Sequence, residues 1–138
     1  MKHPDEVKSE FTRGWARKAE NDYCAAVHLL RTGIEYRDVV VFHAQQAAEK
    51  YLKAFLVWQQ TEFTKTHDIG RLVRLAGEVD RPLVEVLAGA ADLTPYGVEY
   101  RYPSDNPEVT GPDAERAMDL ASLVRAEIRR RLPPETLP

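Results

Sequence analysis

Apolar residues recur along much of the chain at intervals of three and four positions, the spacing that places them on one face of an α-helix. Alternating runs of β-branched and aromatic residues between Asn-Gly or Asp-Gly turns, which are typical of strands and hairpins, are missing. The pattern therefore predicts an all-α protein, a helical bundle of about five helices.

Glycine, proline and polar residues separate the predicted helices, which span residues 9–32, 38–60, about 66–76, 82–93 and 113–132. Ser9 is a suitable N-cap for the first helix, and Gly33 fits a left-handed residue at its C-terminal end. Pro95 follows the fourth apolar run, and we expect a kink or a restart there because proline removes a backbone hydrogen bond.

Two proline-rich segments interrupt or end the helical pattern. Residues 103–112 contain three prolines together with Ser104 and Asn106, a composition that predicts a loop. A Pro-Pro pair ends the fifth helix, and we expect residues 133–138 to form a frayed C-terminal tail.

The composition is that of one ordinary globular domain. The chain has 138 residues, of which 43% are apolar, so we expect a single domain over residues 1–138. A formal net charge of −3 excludes a globally basic nucleic-acid-binding surface. No long uncharged apolar run occurs and the N-terminus is polar, which predicts a soluble, cytoplasmic protein without a membrane segment. The single cysteine, Cys24, has no disulfide partner within the chain, and we interpret it as a small buried hydrophobe.

A polar stripe adjoins the apolar face of the second helix. At about 100° per residue, Gln46, Glu49 and Lys53 lie close together beside Phe42, and Gln45 falls within the apolar arc itself. One interpretation is an i, i+4 ion pair between Glu49 and Lys53 on a solvated helix. The other is a polar seam that joins this helix to a second helix or to a second subunit, because bundles place functional groups on facing helices.

Four segments in this order resemble the HEPN family (higher eukaryotes and prokaryotes nucleotide-binding domain). They are WARKAEND at residues 15–22, FHAQQAAEKYLKA at 42–54, KTHDI at 65–69 and YRYP at 100–103. With the fifth helix as the closing element, the resemblance spans nearly the whole chain. It implies an antiparallel bundle with a four-helix up-down core plus a short helix, which forms a homodimer through faces that include the second and fourth helices. It also implies a partner, a minimal nucleotidyltransferase, in a pair that looks like toxin and antitoxin.

Many proteins of this family are metal-independent endoribonucleases, whose motif is an Arg near the end of a late helix and, after about four to six intervening residues, a His. Arg101 matches the Arg, but the chain has no His after His67, and Asn106 stands at the first position where the motif has its His. Asn106 can hydrogen-bond a phosphate or a sugar, but it cannot act as a general acid or base at neutral pH. Ribonuclease activity at a non-standard site, with Arg101 and Asn106 as its residues, is therefore an alternative to the function that we expect. The third possible function is that of a structural interaction module.

The expected function is a dimeric binding and regulatory protein that holds the phosphate of a nucleotide or of RNA near Arg101. An Arg guanidinium donates two parallel hydrogen bonds to a phosphate, and an aromatic ring stacks on bases. His67 either caps the third helix or stands near Arg101 in place of the missing His. The nucleotide- and phosphate-binding candidates are Arg101, Tyr102, Lys53, Gln46, Glu49 and His67.

We expect no metal and no cofactor, because His28, His43 and His67 lie on different predicted elements without metal-ligand spacing. Positive charge is concentrated at Arg125 and residues 129–131, late in the fifth helix. This cluster is either a solvated helix end that matches the helix dipole or a patch that binds nucleic acid.

Overall fold

The computed structural model describes residues 1–103 and 105–138, and these residues form helices and connecting turns without a strand. The α-helices are α1 (Pro4–Thr32), α2 (Arg37–Trp58), α3 (Ile69–Val79), α4 (Pro82–Val86) and α5 (Gly111–Arg131). Segments of 3₁₀ helix lie at Ile34–Tyr36, Ala88–Gly97, Glu99–Arg101 and Pro134–Thr136. The prediction of an all-α bundle is confirmed. Ser104, which belongs to the predicted loop, lies outside the described residues.

Helix α2 is the centre of the bundle. It contacts α1, α3, α5 and the long 3₁₀ segment Ala88–Gly97, and 13 of its 22 residues are buried, more than one helix face holds. Alanines at positions 16, 19 and 26 of α1 are completely buried, so the backbone of α1 lies close against α2. The two helices run antiparallel, because Lys8 at the start of α1 lies over the ring of Trp58 at the end of α2.

The first helix begins earlier than predicted. It starts at Pro4 rather than at Ser9, because proline suits the first turn and His3 Nδ1 accepts a hydrogen bond from the Asp5 amide at 3.2 Å. Gly33 does end α1, but its φ of 162° is extended backbone rather than the predicted left-handed conformation. The left-handed residue is Gln60, with φ of 55°, just after α2.

The fourth predicted helix is α-helical over Pro82–Val86 and continues as 3₁₀ helix over Ala88–Gly97. The change of geometry thus comes before Pro95, where the sequence predicts a kink or a restart, and Pro95 lies inside the 3₁₀ segment. Residues three apart share a face of a 3₁₀ helix, and Leu87, Ala90 and Leu93 are all completely buried at this spacing. The pattern of small and apolar residues therefore fits the tighter helix.

Helix α5 begins at Gly111, two residues before the predicted start, behind a capping box of Thr110 and Asp113. The last six residues, expected to be a frayed tail, instead form a 3₁₀ turn over Pro134–Thr136. Thr136 is completely buried, and Arg13 Nε of α1 donates to the Glu135 carbonyl oxygen at 3.1 Å. The tail therefore packs against α1.

Cys24 is exposed on α1, so its interpretation as a buried hydrophobe is wrong. None of the helices formed by the described residues combines the length and the apolar character needed to cross a bilayer.

Candidate functional site

Arg101 lies at the end of the short 3₁₀ turn Glu99–Arg101, which follows the long 3₁₀ segment. Its side chain is exposed, and its guanidinium carbon lies 4.5 Å from the centroid of the Phe42 ring on α2. A guanidinium over an aromatic face is held by a cation–π contact. Across the part of the chain that the structure describes, no carboxylate forms an ion pair with Arg101.

Arg101 borders an open cavity of about 340 Å³ between the start of α2 and the turn Glu99–Arg101, which we name the Arg101 cavity. The described residues that line it are Asp38, Val39, Phe42, His43, Tyr100 and Arg101. The lining combines one cation, one carboxylate, two aromatic rings and one imidazole. Such a set of groups offers partners for a phosphate, for a planar base and for ribose hydroxyls.

His43 also lines this cavity, although the sequence pattern does not indicate it as a site residue. Its Nδ1 lies 2.8 Å from Asp22 Oδ1 of α1, and the second carboxylate oxygen of Asp22 pairs with Lys50 of α2. The contact between Asp22 and this part of α2 can be predicted from the order of the helices. In an antiparallel hairpin that turns at residues 33–36, Asp22 lies opposite residues 43–50.

Tyr102 and Asn106 lie beside a second open cavity of about 350 Å³. Asp38 and Tyr100 line both cavities, so the two adjoin. Tyr102 is 65% exposed, and Asn106 Nδ2 donates to the Glu99 carbonyl oxygen at 3.4 Å. The fold thus brings Arg101, Tyr102 and Asn106 to one surface region.

The other candidates from the polar stripe form a separate network inside the bundle. Glu49 and Lys53 are 3% and 5% exposed, and Lys53 Nζ donates to Glu49 Oε2 at 3.1 Å. Gln45, completely buried, donates through Nε2 to Glu49 Oε1 at 3.2 Å and accepts from Gln46 Nε2 at 2.7 Å. The interpretation as a solvated ion pair is wrong, and the stripe is instead a polar seam between α2 and the segment before α3.

His67 belongs to this seam. Its Nδ1 lies 2.8 Å from Glu49 Oε1, and His67 does not line the Arg101 cavity. The cap of α3 comes from Asp68, whose side chain accepts from the Arg71 amide at 3.2 Å. His67 therefore neither caps α3 nor occupies the place of a histidine beside Arg101.

The basic end of α5 is engaged in internal pairs. Arg125 binds both oxygens of Glu20 on α1 at 2.7 Å, and this pairing lowers the pKa of Glu20 although burial opposes it. Arg131 binds Asp80 at 2.6 Å, and Arg129 lies 3.3 Å from the Tyr51 hydroxyl. Burial and the Glu20 hydrogen bond raise the pKa of Tyr51 to about 12. These contacts favour a structural role for the arginines over a nucleic-acid patch.

Among the described residues, no group of three or more His, Cys, Asp or Glu side chains is placed to hold a metal ion.

Comparisons with known proteins agree with the fold. Residues 12–131 match a family model described as the HEPN domain. The crystal structure of TT1696 from Thermus thermophilus is similar to this chain with a TM-score of 0.75 and 32% sequence identity. The match covers 88% of this chain and 98% of that chain. No curated protein sequence matches.

Proposed function

Because the chain belongs to the HEPN domain family, we propose that it is a binding and regulatory protein that holds the phosphate of a ribonucleotide or of RNA at Arg101. The observation that carries the proposal is the state of Arg101, which is exposed, rests on Phe42 and pairs with no carboxylate of the described residues. A guanidinium in this state binds a phosphate without first giving up an ion pair.

The surroundings of Arg101 suit the remainder of a nucleotide. The ring of Tyr100 in the Arg101 cavity and the exposed ring of Tyr102 in the adjoining cavity are available for stacking on a base, and such stacking tolerates any base sequence. Asp38 supplies an acceptor for a ribose hydroxyl or for a base N–H group. The proposed ligand therefore carries a base and a ribose as well as a phosphate.

We further propose that the protein acts as a homodimer with the Arg101 cavity near the interface. Support comes from exposed apolar side chains in these two cavities and next to their lining residues in sequence. Val39 lines the Arg101 cavity and Tyr102 the adjoining one, and they are 40% and 65% exposed. Tyr36 and Val98, which are 46% and 50% exposed, lie within two residues of Asp38 and Tyr100 along the chain. Burying this surface against a second copy removes it from water and doubles the number of Arg101 side chains in one cleft.

A minimal nucleotidyltransferase is the proposed protein partner, in a pair of the toxin and antitoxin type. The support is membership of the HEPN family together with the resemblance described above. Co-expression with such an enzyme encoded beside this chain, followed by affinity purification and measurement of the mass of the complex, tests the proposal. Elution of the two proteins as separate species contradicts it.

Fluorescence anisotropy with a labelled single-stranded RNA, in chelator and at low salt, tests the binding function. We expect Arg101→Ala to weaken RNA binding by about tenfold or more, since hydrogen bonds to charged groups contribute about 1.5–3 kcal/mol. The matched control is Arg17→Ala, which removes an exposed arginine of α1 outside the cavity and leaves binding unchanged. Equal affinities for wild type and Arg101→Ala contradict the proposal, and absence of RNA and nucleotide binding by wild type favours the structural module.

A further inference from the structure

We propose that a second site, next to the phosphate held by Arg101, selects a guanine base. The site is the open cavity of about 350 Å³ that contains Tyr102 and Asn106, which we name the Tyr102 cavity. The inference rests on the proposed function, because the base must belong to a ligand whose phosphate Arg101 binds. It goes beyond that function by naming the base and the side chains that select it.

The Tyr102 cavity is placed to receive the base of such a ligand. Asp38 and Tyr100 line both this cavity and the Arg101 cavity, so the ribose and base of a ligand bound at Arg101 have a continuous path into it. Its volume lies near the lower end of the range of about 300–1,000 Å³ that is typical of small-molecule sites. Tyr102, which is 65% exposed, offers a ring face on which the base stacks. The position, the size and the stacking surface therefore suit one base.

The charges of the lining favour a neutral base over a second phosphate. The described residues that line the Tyr102 cavity include three carboxylates, those of Glu35, Asp38 and Glu108, and one cation, Arg37. A phosphate in this cavity would be close to more negative than positive groups, and their repulsion weakens binding. A neutral base avoids this repulsion, and its N–H groups donate to carboxylate oxygens.

Arg37 supplies the cationic side of the cavity. It is the first residue of α2, where the helix dipole does not stabilise a cation, and it is partly buried. It lies against the start of α5, because a Cβ added at Gly111 would be 3.4 Å from Arg37 Nη2. Within the described part of the chain, its guanidinium forms neither an ion pair nor a hydrogen bond. Packing therefore positions the guanidinium, while its donors are able to bind a ligand.

Guanine is the base that combines the two edges which these groups recognise. Its N7 and O6 are adjacent acceptors, to which an arginine donates two hydrogen bonds. Its N1–H and N2–H groups are adjacent donors, and one carboxylate accepts from both. Adenine has an amino group where guanine has O6, and uracil and cytosine each lack two adjacent donor groups. We assign the edge with N7 and O6 to Arg37, and the edge with N1 and N2 to the carboxylates of Glu35 and Glu108.

Fluorescence anisotropy with labelled RNA tests the base and Arg37 together. The probes are oligoadenylates that carry guanosine, cytidine, uridine or adenosine at one central position. We expect wild type to bind the guanosine probe at least about tenfold more tightly than the others, since a bidentate contact to a base gives discrimination of this order. Arg37→Met should bind all four probes alike. Arg101→Ala should bind every probe more weakly but keep the preference for guanosine, and Arg17→Ala, outside both cavities, should behave as wild type.

Modified bases test the assignment of each edge. 7-Deazaguanosine lacks the N7 acceptor, so it should weaken binding by wild type and cause no further loss in Arg37→Met. Inosine lacks the N2 amino group, so it should weaken binding by wild type but not by the double variant Glu35→Gln with Glu108→Gln. Circular dichroism and thermal melts of the same samples show whether each variant is folded.

Competition by GMP, AMP, CMP and UMP for the guanosine probe identifies the source of the base. GMP that competes as well as the guanosine RNA indicates a free nucleotide, whereas weaker competition by GMP indicates a guanine within RNA. Wild type that binds all four probes alike overturns the inference and leaves the proposed function, and wild type that binds neither RNA nor a nucleotide removes both. A folded Arg37→Met that keeps the preference for guanosine also overturns the inference.

Discussion

The burial of each cationic side chain determines whether it is able to bind an external phosphate. Arg101 and Lys53 are both phosphate-binding candidates by sequence, yet Arg101 is exposed, whereas Lys53 is 5% exposed and paired with Glu49 at 3.1 Å. A buried ammonium cannot leave its carboxylate for an external phosphate without leaving a buried charge unpaired. Helical periodicity assigns Lys53 to a face of α2, but Trp15 of α1 and Phe63 of the segment before α3 pack over that face and make it interior.

We expect Lys53→Met to lower the free energy of unfolding by about 3 kcal/mol, because it leaves the Glu49 carboxylate buried without its main cation. Urea denaturation measures the change. The double variant Glu49→Gln with Lys53→Met removes both charges and should recover part of the loss. A change below about 1 kcal/mol for Lys53→Met would mean that the pair contributes no more than a surface ion pair.

The number and type of the long helices follow from the sequence pattern, whereas their ends and the joins between them do not. The start of α1 depends on Pro4 and on a hydrogen bond to His3, and the switch from α to 3₁₀ helix before Ala88 depends on what that segment contacts in α2 and α3. The same limit applies to the site. Arg101 stands out by its motif, but its neighbour His43 is 58 residues away and joins it through tertiary contacts alone.

Gly97 marks the close approach of the long 3₁₀ segment to α2. A Cβ at this position would lie 2.8 Å from Gln45 Cδ, and Gln45 is held in the buried polar seam. We therefore expect Gly97→Ala to lower stability by about 1–3 kcal/mol. Gly14→Ala is the matched control on α1, since nothing lies within 4 Å of its added Cβ, and it should raise stability by up to about 1 kcal/mol. Thermal melts of the two variants that shift in the same direction would contradict this.

The ion pair between Glu20 and Arg125 joins α1 to α5 and should make the free energy of unfolding depend on pH. Arg125 lowers the pKa of Glu20 in the folded state, so the unfolded chain binds the proton more readily. The stabilisation is present above the unfolded pKa, near 4.5, and is lost as pH falls through the lower folded pKa. We expect Glu20→Gln to cost about 1–3 kcal/mol at neutral pH and less at about pH 3, by urea denaturation.

The control for this experiment is Glu78→Gln, which neutralises an exposed glutamate of α3 that forms no ion pair within the described part of the chain. Its stability should differ little from wild type at both pH values. A cost for Glu20→Gln that stays constant on acidification would show that the side chain acts through packing rather than through its charge.

At the scale of the whole molecule, the net charge of −3 hides an uneven distribution. Much of the positive charge on α5 is paired with Glu20, Asp80 and Glu127 in partly buried ion pairs. Arg101, by contrast, is exposed and forms no ion pair with a carboxylate of the described residues. Because the net charge is negative, the overall field does not attract nucleic acid, and the proposed binding relies on local cations such as Arg101. The proposed homodimer would place two copies of Arg101 in one cleft.

We expect Val39→Glu to shift the protein from dimer to monomer. Val39 is 40% exposed at the edge of the Arg101 cavity, and a carboxylate there would be buried without a partner in the proposed interface. Light scattering coupled to size-exclusion chromatography measures the mass. Val84→Glu, at an exposed valine of α4, is the control and should leave the mass unchanged. A wild-type protein that is monomeric at all accessible concentrations would contradict the proposed dimer.

The salt dependence of RNA binding shows whether Arg101 contacts a phosphate. For single-stranded nucleic acid the logarithm of the affinity falls with the logarithm of salt concentration by about 0.7 for each phosphate contact. We expect Arg101→Ala to reduce this slope by about 0.7 for each Arg101 engaged, and Arg17→Ala to leave the slope of wild type unchanged. Parallel lines for wild type and Arg101→Ala would contradict it.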